Sequence, residues 1–196
     1  MVNKQATDDP LRGLLSQRLK LEREARAMSI AALAEVSGVS RAMISKIERA
    51  EASPTADLLG RLSGAFGLTV SALLARAEKD GNNGRIARVA DQALWTDPET
   101  GYLRRALSPP GADPELVQID LPPGAHVRYP ASAYAFLRGH CVWVLKGQLV
   151  VREGAEDSTL CAGDCLSFDL TPARVCTYTN PSATHAARYI VALSRR

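Results

Sequence analysis

The sequence predicts a two-domain α + β chain, with five helices over residues 11–77 and an all-β sandwich or barrel over residues 86–196. Three observations carry this. Apolar residues recur at helical spacing through the first stretch. That period disappears after EKDGNNGR at residues 78–85, a charged, Gly/Asn-rich segment that reads as a flexible linker. Beyond it, short β-type runs alternate with Pro, Gly and Asn turn residues. A length of 196 residues at 46% hydrophobic content supplies one large core or two small ones.

Residues 1–10, MVNKQATDDP, are polar and read as a disordered arm. Over residues 14–27, Leu15, Leu19 and Arg23 fall near one stripe and define helix one. Ser29 caps helix two, where Ile30, Leu33 and Ala34 repeat at helical spacing. Gly38 ends it, since glycine enters a left-handed turn without steric cost. Ser40 then caps helix three, residues 41–49. Ile44 and Ile47 face inward there, Met43 reads as core filler, and Arg41, Ala42, Ser45, Lys46 and Arg49 face out. AEASPT is a loop, Ser53 or Thr55 caps helix four, which runs to about Phe66, and Thr69 opens helix five, VSALLARA. The strand runs are LVQIDL (116–121), CVWVL (141–145), QLVVRE (148–153), CLSF (165–168), VCTYT (175–179) and ARYIVAL (187–193).

Two short helices crossing through a glycine turn, the second with a basic outer face, make the helix-turn-helix arrangement that enters a DNA major groove. The net charge is only +3, and residues 1–80 carry 12 Lys/Arg against 10 Asp/Glu. DNA binding therefore has to rest on local placement of charge. With a polar start and no run of 18 apolar residues, no membrane span or signal peptide is expected, which places the chain in the cytoplasm. The four cysteines, Cys141, Cys161, Cys165 and Cys176, form no CxxC pair and are expected reduced. They read as small buried hydrophobes, with a redox pair of Cys161 and Cys165 as the alternative.

The stretch GVSRAMISKIERAEASPTADLLGRLSGAFGLTVSALL resembles the xenobiotic-response-element (Cro/C1-type) helix-turn-helix family over roughly residues 14–75. The resemblance implies an ion pair between Arg23 and Glu48. It implies base reading by Arg41, Ala42 and Lys46: an Arg or Lys there donates to guanine O6 and N7, and Ala42 meets a thymine methyl. Ser29, Ser40, Ser45 and Arg49 are placed for phosphates.

In the second half, PPG (122–124), VWVLKGQLVV (142–151), AGD (162–164) and the Asn-Pro at 180–181 resemble a cupin, a double-stranded β-helix barrel. Metal-binding cupins carry His-x-His, then Glu seven residues before the VLxG glycine, then His four residues before the Asn. Here those later positions hold His140 and Cys176, and Tyr134 sits in the first segment. Two readings stay open. In one, Arg128, Tyr134, His140, Cys176 and Tyr178 line a ligand pocket without metal. In the other, His140, Cys176 and Tyr134 form a softer site suited to zinc. His126 and His185 read as surface residues.

A helix-turn-helix followed by a cupin resembles a class of bacterial transcriptional regulators. The resemblance implies a non-enzymatic, homodimeric repressor of operator DNA whose barrel senses a small-molecule effector or a metal. The alternative is a metal-dependent cupin enzyme with an accessory DNA-binding domain.

Overall fold

The computed structural model describes residues 10–77 and 85–195. The arm over 1–10 and the linker over 78–85 lie, except for Pro10 and Arg85, outside the described residues.

The helices are α1 (Pro10–Glu24), α2 (Ile30–Ser37), α3 (Arg41–Glu48), α4 (Ala56–Ala65) and α5 (Val70–Ala77). Hydroxyl caps set four of the starts. Ser29 Oγ accepts from the Ala32 N–H at 3.0 Å, Ser40 Oγ from Met43 at 3.2 Å, Thr55 Oγ1 from Leu58 at 3.4 Å and Thr69 Oγ1 from Ala72 at 2.9 Å. Gly38 closes α2 at φ 68°, the left-handed turn that aims α3 across α2. Helix α1 starts at Pro10, earlier than the apolar stripe alone indicates. Leu15, Leu19, Leu33, Ile44, Ile47, Leu59, Leu62 and Leu73 are buried at the centre of the bundle. No single helix is long and apolar enough to cross a membrane among the described residues.

The strands are β1 (Leu94–Thr96), β2 (Leu103–Ala106), β3 (Glu115–Leu121), β4 (His126–Tyr129), β5 (Leu137–Lys146), β6 (Gln148–Glu153), β7 (Glu156–Cys161), β8 (Cys165–Ser167), β9 (Cys176–Thr179) and β10 (Ala187–Arg195). They form a six-stranded sheet, β1-β2-β3-β10-β5-β8, and a four-stranded sheet, β4-β9-β6-β7. Every pairing is antiparallel. Strand β3 alternates buried and half-buried residues along its length, the period of a strand with one face in a core. Val117, Ile119, Val142, Val144, Leu149 and Val151 are buried from the two sheets. The two antiparallel sheets make the all-β barrel expected of the second half of the chain. Asn180 of the Asn-Pro pair ties its end together. Its buried amide donates to the carbonyls of Leu121, Pro122 and His185 at 2.9–3.0 Å.

The helices and the barrel are docked on each other. Helix α4 lies against β4 and a short 3-10 turn at Ala131–Ala133. Gly60 and Gly64, four apart on α4, make this possible. A Cβ on Gly60 would stand 2.7 Å from the Tyr129 ring, and one on Gly64 2.9 Å from the Ser132 carbonyl oxygen. Glycine inside a helix costs about 1 kcal/mol relative to alanine, so its presence here follows from the close approach. The barrel also completes the helices' polar termini. Asp97, 2% exposed, accepts from the Ala56 N–H at 2.8 Å and so caps α4 beside Thr55. Thr69, which caps α5, donates to Glu115 Oε2 at 2.7 Å, and Arg104 of β2 reaches the Ser71 hydroxyl.

Candidate nucleic-acid interface and the inter-domain cavity

Helix α3 presents Arg41, Ala42 and Lys46 to solvent, with Ile44 and Ile47 buried behind them at 1% exposure. Met43 is half-buried against the core, as its role of core filler requires. The helix is held in place from α1. Arg23 Nε and Nη2 donate to the two oxygens of Glu48 at 2.7 and 2.9 Å, and Nη1 to the Met28 carbonyl at 2.9 Å. This bidentate geometry fixes α3 against α1 and against the turn entering α2. A second anchor, which the stripe on helix one did not reveal, is Glu22, 4% exposed. Burial pushes its pKa up, but hydrogen bonds from Arg26 and Arg76 outweigh this and hold it below the usual carboxylate range.

Ser29 and Ser40 spend their side chains as caps, at the N-terminal ends of α2 and α3 where backbone N–H groups face outward. Ser45 and Arg49 are engaged with each other. Arg49 is also clamped on Glu51 at 2.6 and 2.9 Å, so it is a poorer phosphate contact than its spacing suggests.

The second candidate site lies between the domains. A cavity of about 50 Å³ is walled by Ser63, Thr69 and Val70 of the helices and by the open end of the barrel. All five tyrosines of the chain, Tyr102, Tyr129, Tyr134, Tyr178 and Tyr189, converge on it, with His140 and Arg104. Tyr102 and Tyr129 join hydroxyls at 2.9 Å, Tyr134 and Tyr178 at 3.4 Å, and the Tyr178 hydroxyl stands 3.3 Å from His140 Nε2. The His140 ring is sandwiched, stacked on Phe168 at 3.9 Å and on Tyr134 at 5.0 Å. Burial lowers its pKa to about 3, so the imidazole is neutral. A wider, open groove of about 550 Å³ runs outside, between Leu14, Ala75 and the segment around Ile86. Its lining includes Asp91, Glu115 and Arg195.

The pocket residues expected from the sequence therefore divide. Tyr134, His140 and Tyr178 line the cavity; Arg128 does not. Strand β4 alternates exposed and buried residues, which turns Arg128 outward, 3.9 Å from Asp57 of α4, and Tyr129 inward. Cys176 is buried, and its thiol is pushed up to about 12 by burial and, next, by Glu153. Among the described residues no three His, Cys, Asp or Glu side chains converge. With His140 clamped between two rings, His140, Cys176 and Tyr134 do not fit a metal. Cys161 and Cys165 are exposed free thiols rather than buried hydrophobes. His126 and His185 are exposed. Tyr102, Arg104, Tyr129 and Tyr189 were not singled out. Alternation around Val127 was a signal for Tyr129; Tyr102, Arg104 and Tyr189 gave none, because they meet only through strand pairing.

The family model HTH_3, described as helix-turn-helix, matches residues 19–73. Residues 19–73 are a helix-turn-helix domain of that family. The HTH-type transcriptional regulator SutR of Escherichia coli (strain K12) is 48% identical over 56 residues. The match spans 29% of this chain and 30% of that regulator, so it speaks for the helix-turn-helix domain alone. An HTH_3 family transcriptional regulator from Vibrio cholerae superposes with a TM-score of 0.76 at 20% identity, over 95% of this chain and 98% of its own. It shares the fold from the helix-turn-helix through the barrel. Hydroxypropylphosphonic acid epoxidase from S. wedmorenis aligns over 93% of this chain and 97% of its own, with a TM-score of 0.45 at 19% identity, and nothing about activity follows from that.

Proposed function

We propose that this protein is a cytoplasmic, sequence-specific DNA-binding transcriptional regulator, a repressor, acting as a homodimer whose barrel senses a small-molecule effector. The observation that carries the reading is the outward face of α3, Arg41, Ala42 and Lys46, on a helix locked by the Arg23–Glu48 pair inside a helix-turn-helix domain. In this reading Arg41 and Lys46 read guanine edges, Ala42 meets a thymine methyl, and the capped ends at Ser29 and Ser40 meet phosphates. One such domain buries little DNA, so a two-fold dimer reading half-sites about 34 Å apart supplies the affinity. The docking of α4 on β4 supports the sensing role. A change in the barrel reaches the DNA-binding domain through packed side chains rather than through a loose chain.

The test is a fluorescence titration of the full-length protein on a palindromic fragment from its own upstream region, at two salt concentrations. Binding that weakens steeply with salt is expected. Arg41→Ala is expected to cost about 1–3 kcal/mol of binding and to relax choice at one base pair. Salt-independent binding, or an unaltered Arg41→Ala, overturns the assignment of α3.

A further inference from the structure

The inter-domain cavity has a one-sided chemistry. Among the described residues no Asp or Glu lines it. Arg104, 6% exposed, stands in its wall, and its Nε has no hydrogen-bond partner among the described residues. The carboxylate of Glu115 in β3 stands outside the lining, with Oε1 3.8 Å from Arg104 and Oε2 taken by Thr69 at 2.7 Å and Arg195 at 3.6 Å. Around the cavity stand the five tyrosines, and burial raises the pKa of Tyr129, Tyr134, Tyr178 and Tyr189, keeping their hydroxyls protonated. His140 Nδ1 is buried there with no hydrogen-bond partner among the described residues. Beside these polar groups the wall is apolar: Ile119 pairs with Arg104 and Tyr189, and Val191 and Leu193 follow Tyr189 on the same face of β10, with Leu137 nearby.

We infer that this cavity is a binding site for a small aliphatic carboxylate, with Arg104 as its counter-charge. The carboxylate oxygens accept from Arg104 and the tyrosine hydroxyls, and the short alkyl end rests on Val191 and Leu193. An acceptor-only anion is what a donor-rich, acidic-residue-free cavity lacks. At about 50 Å³ the site takes a molecule of a few heavy atoms. Because Ser63, Thr69 and Val70 form one wall, the ligand touches both domains at once, and a longer one has to press α4 and α5 away from the barrel. This rests on the reading of the barrel as the sensing half and names the chemical class it senses.

The experiment uses full-length protein without DNA, titrated with acetate, propionate and butyrate. Acetamide, propionamide and sodium chloride at matched ionic strength are the controls. Thermal midpoint and tyrosine fluorescence are followed. The expected result is a saturable response to the carboxylates at concentrations at least ten-fold lower than for the amides, and none to chloride. Arg104→Gln removes the difference between carboxylate and amide, whereas Arg104→Lys keeps part of it. Equal responses to carboxylate, amide and chloride overturn the site, as does a carboxylate response that survives Arg104→Gln unchanged. Should Arg104→Gln not fold, the wild-type comparison still decides, and Tyr134→Phe, which removes one hydroxyl, is expected to weaken the carboxylate several-fold. The same preparations are titrated with the promoter fragment. DNA binding with no carboxylate response overturns this site alone, and loss of both overturns the regulator reading with it.

Discussion

The outer face of α3 and the cavity beneath α4 are both rich in hydrogen-bond donors, yet they are built on opposite principles. On α3, Arg41 and Lys46 stand in water, and their geometry comes from eight consecutive residues on one helix. In the cavity, Arg104 and five tyrosines are buried, and they arrive from β2, β4, β9, β10 and the loops that join the strands. An exposed cation keeps its hydration until a phosphate or base replaces it. A buried one is already desolvated and costs stability until something neutralises it. In the proposed reading the first surface waits for DNA and the second for a small anion.

The comparison breaks most sharply if the helical half loses its lock. Glu48→Ala leaves Arg23 buried without its carboxylate and is expected to cost about 3 kcal/mol in urea unfolding, with DNA binding lost alongside. The charge-free pair Arg23→Met with Glu48→Leu is expected to recover most of that stability. Gly64→Ala tests the dock. Helix propensity alone predicts a gain of up to about 1 kcal/mol, whereas the clash with the Ser132 carbonyl predicts a loss of about 2 kcal/mol. Gly13→Ala on α1, where an added Cβ meets nothing within 4 Å, is the control and is expected to stabilise.

Acid sharpens the contrast from the cavity side. The His140 pKa, lowered to about 3 by burial against 6.5 for the ordinary value, means the unfolded chain binds a proton that the folded chain refuses. The stability tied to the neutral ring is complete above pH 6.5 and drains as pH falls toward 3. At pH 5.5 this amounts to about 1.4 kcal/mol. His140→Phe keeps the stack between Tyr134 and Phe168 and is expected to flatten that part of the pH–stability curve, read by thermal unfolding in a buffer series. The smallest effect is expected on the DNA side. Glu51→Ala unclamps Arg49, which tightens operator binding slightly and steepens its salt dependence.

What could be read from the sequence follows the same division. The caps at Ser29, Ser40, Thr55 and Thr69, the turn at Gly38 and the Arg23–Glu48 pair are set by short-range spacing or by a family pattern, and each is found in place. Strands β3, β5, β6, β8, β9 and β10 announce themselves as apolar runs. The short β1, β2 and β4, and the hydrophilic β7, EDSTLC, do not. Tyr134, His140 and Tyr178 were reachable through motif positions. Arg104 and Tyr189 were not, because their meeting point depends on the β2–β3–β10 pairing and on how α5 sits over it. The error over Arg128 is of another kind. A charged residue beside Val127 in a strand belongs on the opposite face, and the period of two was there to be used.

Asp97 caps α4 from the far side of the domain boundary, and Glu115 does the same for Thr69 at the head of α5. The DNA-binding half is consequently not a cassette. Grafted onto a barrel without carboxylates at those two points, α4 and α5 would begin with unmet N–H and hydroxyl groups against a foreign surface. Chimeras between such proteins should be cut so that the β1–β2 turn carrying Asp97 and the strand carrying Glu115 travel with the helices they finish.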